Sequence, residues 1–149
     1  MRLWRISSFA NLSDEGGLLA SGRWHSRGRR IVYMSDHPAS ALLEVLVHLE
    51  VDVDDLPVSY QLLTVDFPDD LRLETIAMDA LPPDWSTKIV ATRQLGNRWL
   101  NAGATALLRV PSTIVPHASN WLLNPGHGDA GKAAIAQTIR TPFDARLSW

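Results

Sequence analysis

The stretch from Gly22 to Glu50 constrains the fold more than any other part of the chain. It begins with a basic loop, continues through a short apolar run at residues 31–34 and ends in a helical pattern. Pro38 fits the first turn of a helix, where its missing N–H does no harm, and His37 or Ser35 can cap that helix. Four apolar residues follow the i, i+3, i+4, i+7 spacing of a core-facing side: Leu42, Val45, Leu46 and Leu49. We therefore expect a loop, a strand and a buried helix in succession.

One acid, Glu44, lies within this helical pattern. Leu43 and Val47 add apolar residues on the other side, so we expect the helix to be covered nearly all round. A carboxylate without a partner in such a setting is costly, and a cation or a hydroxyl group should pair with it. The alternative is that Glu44 lies on a solvent-exposed stripe with Ser40 and His48. The spacing alone fits both interpretations.

The basic loop that precedes the apolar run carries four arginines and a histidine. No acid occurs between Gly22 and Asp36. A guanidinium group offers a planar fork of donors to phosphate oxygens, so the loop suits an anionic ligand. A solvated basic turn is the alternative. The residues concerned are Arg23, His25, Arg27, Arg29 and Arg30.

Composition excludes several functional classes. With 149 residues, 46% of them apolar, the chain is expected to fold as one domain spanning 1–149. It has no cysteine, which excludes disulfides, thiolate catalysis and a cysteine-based zinc site. A formal net charge of −2 argues against bulk attraction to nucleic acid. No apolar run suits a signal peptide or a membrane span, so we expect a cytoplasmic protein.

The rest of the chain alternates short strand patterns with two further helical ones, which predicts an α+β fold. One helix is expected from about Lys88 to Asn101, capped by Ser86 or Thr87 and stopped by Gly103. Residues 126–140 fit either a loop, because of Gly126, Gly128 and Gly131, or one short helix at 133–139. Strands are expected at 2–6, 31–35, 58–67, 71–76, 106–110, 113–115, 121–123 and 143–147.

Several short motifs in this order resemble the RES-domain family. They are Leu-Trp-Arg at 3–5, Gly-Arg-Trp at 22–24, Tyr33 ten residues after Arg23, and Ala-Leu-Leu-Glu at 41–44. The resemblance continues through Ser-Asn-Trp-Leu-Leu-Asn-Pro at 119–125 and Pro-Phe-Asp-Ala-Arg-Leu at 142–147. It covers essentially the whole chain as one RES domain. It implies a fold related to ADP-ribosyltransferases, with a bent central sheet and flanking helices.

The resemblance also implies that the protein consumes NAD. Breaking the bond between nicotinamide and ribose leaves a ribosyl cation, which a nearby carboxylate stabilises. Glu44 would be that carboxylate, and Tyr33 would pack against the nicotinamide ring. Arg23, with Arg5 from the first strand, would bind the pyrophosphate.

Two neutral residues complete the expected site. Ser119 and Asn120 would hydrogen-bond to ribose or amide groups, although the pair also suits an ordinary turn. NAD would be a substrate and not a bound cofactor, because no glycine-rich dinucleotide fingerprint occurs. No metal site is expected, since His117 and His127 lack a carboxylate at ligand spacing.

Family membership further implies a toxin whose partner is an Xre-like helix-turn-helix antitoxin. The antitoxin would block the pocket in a hetero-oligomer and make any DNA contact itself. Water, phosphate or a protein could accept the ADP-ribose, so NAD hydrolysis, phosphorolysis and protein ADP-ribosylation all stay open. A different class, an RNA-binding module or ribonuclease, would use His25 with Arg27, Arg29 and Arg30 on RNA phosphates.

Overall fold

The computed structural model describes residues 1–49 and 57–147, so Glu50 lies outside the described residues. Among the described residues, seven strands form one mixed sheet in the order β4-β5-β6-β2-β1-β3-β7, in which only β4 and β5 run parallel. This arrangement, with few helices, confirms the predicted α+β class. The strands are β1 (Arg2–Ser7), β2 (Val32–Ser35), β3 (Ser59–Asp66), β4 (Leu73–Thr75), β5 (Leu107–Pro111), β6 (Ser119–Leu123) and β7 (Ala134–Pro142). The helices are α1 (Gly16–Leu19), α2 (Pro38–His48) and α3 (Ile89–Ala102).

The central strands are buried on both faces of the sheet. Side chains alternate along a strand, so Leu107 and Leu123 join one apolar cluster while Leu108 and Leu122 join the other. The second cluster includes Trp99 of α3 and so fixes that helix against the sheet. A rigid centre of this kind can hold polar side chains at the ends of β2 and β6 in defined positions.

Helix α2 begins as predicted but is less buried than predicted. The ring of His37 caps it by accepting the N–H of Ala39 at 3.1 Å, and Pro38 is its first residue. Within α2 only Ala41 is buried, and Val47 is 55% exposed, so the expected cover on all sides is wrong. The reason is that α2 packs against β1 and β2 on one side only.

Helix α3 lies within one residue of its predicted bounds, and Gly103 stops it in the left-handed conformation at φ 58°. The predicted caps are wrong. The Thr87 hydroxyl donates to the carbonyl of Asp84, and the helix starts after Lys88 without a side-chain cap. Among the described residues no helix is long and apolar enough to cross a bilayer.

Three predicted elements in the C-terminal third are wrong. The helix expected at 133–139 is the extended strand β7, which pairs with β3 along its length. The strand expected at 143–147 is a short turn of 3-10 helix at Ala145–Leu147, and 113–115 form bends. The backbone groups of β3 need partners, and β7 supplies them in spite of its weak strand pattern.

Candidate active site

A cavity of about 320 Å³ lies beside β1, β2 and α2, under the loop that precedes β2. Its volume is in the range of small-molecule sites. Five of the six site residues predicted from the sequence line it: Arg5, Arg23, Tyr33, Glu44 and Asn120. The sixth, Ser119, lines a second cavity instead. The structure therefore brings a cationic side and an acidic side together around one space.

Arg5 and Arg23 form what we call the arginine wall. One terminal nitrogen, Nη1, of each guanidinium group is buried and has no hydrogen-bond partner. The second terminal nitrogen of Arg5, Nη2, donates to the carbonyl of Ser13 at 2.7 Å. Burial lowers the pKa of both arginines, and the negative charge of Glu44 opposes that shift at Arg23. Arginine still stays protonated, so the wall presents two cations with donors left over for an anion.

Helix α3 holds the loop that carries Arg23 by its backbone. The Thr92 hydroxyl donates to the carbonyl of Arg23 at 2.8 Å, and Arg93 Nε donates to the carbonyl of Gly22 at 2.7 Å. A Cβ at Gly96 would lie 1.7 Å from the Trp24 carbonyl oxygen, so only glycine allows this approach. These contacts fix the loop and leave the Arg23 side chain free.

A further pair of bonds joins α3 to the same loop. Asn97 Oδ1 accepts the N–H of Ser26 at 3.0 Å, and Asn97 Nδ2 donates to the Ser26 hydroxyl at 2.8 Å. The four α3 residues in this clasp are Thr92, Arg93, Gly96 and Asn97, and they lie on one helical face. Sequence analysis missed them because it followed the apolar positions of this helix. The spacing of Thr92 and Gly96, and of Arg93 and Asn97, by four residues could have indicated this polar face from the sequence.

Tyr33 contributes its ring to the cavity while its hydroxyl group is engaged with the loop. The hydroxyl oxygen accepts the N–H of Trp24 at 3.2 Å and lies 2.7 Å from His25 Nδ1. Burial raises the pKa of Tyr33 well above its usual range. The side chain therefore stays a neutral phenol, which suits packing against a ligand ring and does not suit proton abstraction.

Glu44, Ser112 and Asn120 form what we call the acid wall. Glu44 Oε1 accepts from Asn120 Nδ2 at 2.7 Å and from the Ser112 hydroxyl at 3.0 Å. Its other oxygen, Oε2, lies 4.0 Å from His48 Nδ1, and the Glu44 side chain is 20% exposed. The carboxylate thus has the hydroxyl partner that its setting demanded. It lies on the cavity and not on an outer stripe of the helix.

Ser112 supports Glu44 from outside this cavity, since it lines the second cavity, and sequence analysis missed it. Its oxygen accepts the backbone N–H groups of Ile114 and Val115 at 3.1 and 3.2 Å, which leaves its own proton for Glu44. The serine follows directly after Pro111 at the end of β5, and the sequence indicated only a strand break there. The register of β5 and β6 determines which acidic side chain Ser112 reaches.

Ser119 and Asn120 point to opposite sides because they are successive residues of one strand. Asn120 faces Glu44, and its Oδ1 accepts the Ser35 hydroxyl at 3.2 Å. Ser119 is buried on the other side, where its hydroxyl oxygen accepts from Arg109 Nε at 2.9 Å. The expected contact of both residues with a ligand stays a prediction.

The outer arginines of the basic loop do not line the cavity. Arg30 pairs with Asp14 at 2.7 Å, Arg29 donates to Asn101, and Arg27 is exposed. Only Arg23 of the four loop arginines therefore reaches the site.

Neither histidine of the C-terminal region belongs to this cavity. His127 caps a short helical turn by accepting the N–H of Asp129 at 3.0 Å. His117 is exposed, has a φ of 68° and lines the second cavity. Within residues 1–49 and 57–147 no group of three potential metal ligands occurs.

The family comparison finds that a model described as RES domain matches residues 2–145. A protein named Toxin Res from Pseudomonas putida is 48% identical over 147 residues, which cover 99% of each chain. A Prs ADP-ribosylating toxin from Sphingobium sp. is 33% identical over 154 residues, covering 97% of this chain and 94% of the relative.

A search of solved structures finds the same architecture. The M. tuberculosis MbcT–MbcA toxin–antitoxin complex contains a chain that superposes with a TM-score of 0.76 and 16% identity. The match covers 95% of this chain and 84% of the other. At that identity the likeness shows a shared fold.

Proposed function

The chain belongs to the RES domain family, and from that premise we propose that it is a toxin that consumes NAD by cleaving the bond between nicotinamide and ribose. One observation carries the proposal. The unpartnered guanidinium nitrogens of Arg5 and Arg23 lie around the same cavity as the Glu44 carboxylate. Such a site suits a ligand that is anionic at one end and becomes cationic at the other.

The arginine wall binds the pyrophosphate of NAD in this proposal. The two guanidinium groups match the phosphate oxygens in shape and charge. These oxygens accept from the unpartnered N–H groups, which have no water to bond to when buried. The cavity is smaller than a whole dinucleotide, so the nicotinamide riboside half lies inside and the adenosine half extends outward. Tyr33 then packs against the nicotinamide ring.

The acid wall acts on the ribose. As the bond between C1′ and the nicotinamide nitrogen breaks, its electron pair leaves with neutral nicotinamide and positive charge develops on the ribose ring. Glu44 stabilises that charge, and Ser112 and Asn120 hold the carboxylate so that it need not reorient. The oxygen of water then attacks C1′ and releases a proton to bulk water, or an anionic phosphate oxygen attacks C1′ directly.

Transfer of ADP-ribose to a protein is the second candidate. It is favoured by the 33% identity to a relative that is named an ADP-ribosylating toxin. The bond that breaks is the same, and only the attacking group differs. The RNA-binding alternative gains less support, because the outer arginines of the basic loop lie away from the cavity.

The proposed partner is an antitoxin. The structural neighbour comes from a toxin–antitoxin complex, which supports a hetero-oligomer for this protein too. In this proposal an Xre-like antitoxin covers the cavity and keeps NAD out, and the toxin acts in the cytoplasm.

The direct test is to incubate the purified protein with NAD and to follow free nicotinamide and the ADP-ribose product. Hydrolysis gives ADP-ribose without added phosphate, phosphorolysis requires phosphate, and protein transfer gives labelled protein from radioactive NAD in a cell extract. The matched control is Glu44→Gln. Absence of nicotinamide release under all three conditions would contradict the proposal.

A further inference from the structure

A closed set of hydrogen bonds lies under the loop that carries Arg23. The Tyr33 hydroxyl oxygen accepts the N–H of Trp24 and lies 2.7 Å from His25 Nδ1. His25 Nε2 lies 2.9 Å from the carbonyl oxygen of Ala20, and the N–H of Gly22 donates to the His25 carbonyl at 3.0 Å. The imidazole therefore connects the strand residue Tyr33 to both ends of the turn around Arg23.

The partners fix where the protons lie. A carbonyl oxygen only accepts, so His25 Nε2 must carry a proton. In the neutral ring Nδ1 is then an acceptor, and the Tyr33 hydroxyl donates to it. His25 is only 4% exposed, so water does not replace either partner. A second proton on the imidazole would turn the acceptor at Nδ1 into a donor, so the bond would reverse and the Tyr33 hydroxyl proton would be left without an acceptor.

The side chains of Tyr33 and His25 pack tightly against the backbone of Gly22. A Cβ at Gly22 would lie 2.6 Å from the Tyr33 hydroxyl oxygen and 2.7 Å from His25 Cε1. Arg93 holds the Gly22 carbonyl from the other side. Any shift of the imidazole thus moves the residue next to Arg23.

We propose that His25 is a positioning residue whose neutral imidazole accepts a hydrogen bond from the Tyr33 hydroxyl and so holds the Tyr33 ring and the Arg23 loop in their active arrangement. The inference rests on the proposed function and goes further, because it adds a residue that acts through Tyr33 and the Arg23 loop. It predicts that turnover requires an acceptor at the Nδ1 position.

The charged and titratable groups around His25 set the pH at which this bond is lost. Arg93 faces it from α3, Tyr33 faces it from β2, and α1 with the residue after it offers only backbone carbonyls, of Gly17 and Ala20. Burial, helped by the charge of Arg93, lowers the pKa of His25 below its usual range, while the two carbonyls oppose the shift. The imidazole is therefore neutral at pH 7, and turnover should fall only as the pH drops below the usual histidine range.

Two substitutions at one position separate the two bonds of the imidazole. His25→Asn places its amide oxygen near the Nδ1 position and keeps an acceptor for Tyr33. His25→Gln places its amide nitrogen near the Nε2 position and keeps only the donor to Ala20. We expect kcat to stay within about threefold for His25→Asn and to fall by at least about tenfold for His25→Gln, on the scale of small errors in site geometry.

The pH dependence of kcat distinguishes this role from a purely structural one, because a purely structural role of His25 would not change it. Wild-type kcat should show an acid limb, and His25→Asn should move it to lower pH, since the amide does not titrate while the catalytic carboxylate still needs its negative charge. His48→Gln is the matched control, because His48 is the other histidine that lines the cavity, and this variant should keep the limb. In a Tyr33→Phe background His25→Gln should cause no further loss.

Hydrogen exchange of the Trp24 amide tests the same arrangement without NAD. This amide donates to Tyr33, so its protection should survive in His25→Asn and be lost in His25→Gln and at acid pH. If wild type releases no nicotinamide, the proposed function fails, and the exchange data still decide whether His25 holds the loop. The inference is overturned if His25→Gln keeps full Trp24 protection, or if it keeps wild-type turnover in an enzyme that cleaves NAD.

Discussion

The arginine wall and the acid wall enclose the same cavity, but the protein holds them by different means. Helix α3 holds the backbone around Arg23 through Thr92 and Arg93, and the guanidinium nitrogen Nη1 is left buried without a partner. On the acid wall the Glu44 carboxylate itself is held, by two donors to one oxygen. At Arg23 the protein fixes the chain and leaves the charged group free, whereas at Glu44 it fixes the charged group.

This difference indicates how the two walls take part in binding. Buried donors without acceptors are unfavourable, so binding of an anion to the arginine wall lowers the free energy of the protein. A carboxylate that is already oriented needs no rearrangement when positive charge develops beside it. In the proposed function the arginine wall would therefore contribute mainly to substrate binding, and the acid wall mainly to the chemical step.

The largest expected effect comes from Glu44→Gln. The amide keeps the shape of the side chain but removes the negative charge, so the ribosyl cation loses its stabilising partner. We expect nicotinamide release to fall by about 100-fold or more, which is the scale for removing an electrostatic stabiliser. The measurement is kcat with saturating NAD, with thermal unfolding as the control for folding. Turnover near that of wild type would exclude Glu44 from the chemistry and remove the distinction between the walls.

Glu44 and its partner Asn120 were both predicted from the sequence as site residues, whereas Ser112 was not. The motifs around Arg23, Tyr33 and Glu44 carry the family resemblance, and the cavity indeed brings these residues together. Ser112 approaches Glu44 only because β5 and β6 pair in one register, with Val110 opposite Asn120. Such a register is a tertiary property that no local pattern in 107–123 determines.

An intermediate effect is expected for Arg23→Lys. Lysine keeps the charge but cannot offer the planar fork that matches two phosphate oxygens. We expect kcat/KM to fall by about 30-fold, on the scale of a lost charge-assisted hydrogen bond, with the larger part in KM. The measurement is initial nicotinamide release over a range of NAD concentrations.

The matched control changes the three outer arginines, Arg27, Arg29 and Arg30, to Gln. These residues lie away from the cavity, so kcat/KM should stay within about threefold of wild type although three charges are lost. If Arg23→Lys retained full turnover while the triple variant lost it, the outer loop would be the functional element. An RNA-binding role would then deserve the next experiment.

The helix predicted at 133–139 is wrong for a physical reason that also explains why Ser112 was missed. The segment Ala134–Pro142 lies at an edge of the sheet, and nearly all its side chains are exposed. Its conformation is set by the backbone groups of β3 and not by burial of its own side chains. Local propensity carries little information in such a segment, as it carries little about which hydroxyl reaches Glu44.

The smallest expected effect is that of Ser112→Ala. Glu44 Oε1 keeps its bond to Asn120, so the acid wall loses one of two donors and the carboxylate gains some freedom. We expect kcat to fall by about tenfold, from a hydrogen bond to a charged group worth about 1.5 kcal/mol. Ser112→Thr, which keeps the hydroxyl group, should restore most of the activity.

Combining Ser112→Ala with Glu44→Gln and with Arg23→Lys tests whether the two walls act independently. Ser112 acts through Glu44, so adding Ser112→Ala to Glu44→Gln should cost little more than Glu44→Gln alone. The same change added to Arg23→Lys should multiply the two losses, because α3 holds the loop that carries Arg23 independently of the acid wall. A multiplicative loss with Glu44→Gln would mean that Ser112 contacts the substrate itself. A less than multiplicative loss with Arg23→Lys would mean that the two walls are coupled, and the cavity would then respond to its ligand as one unit.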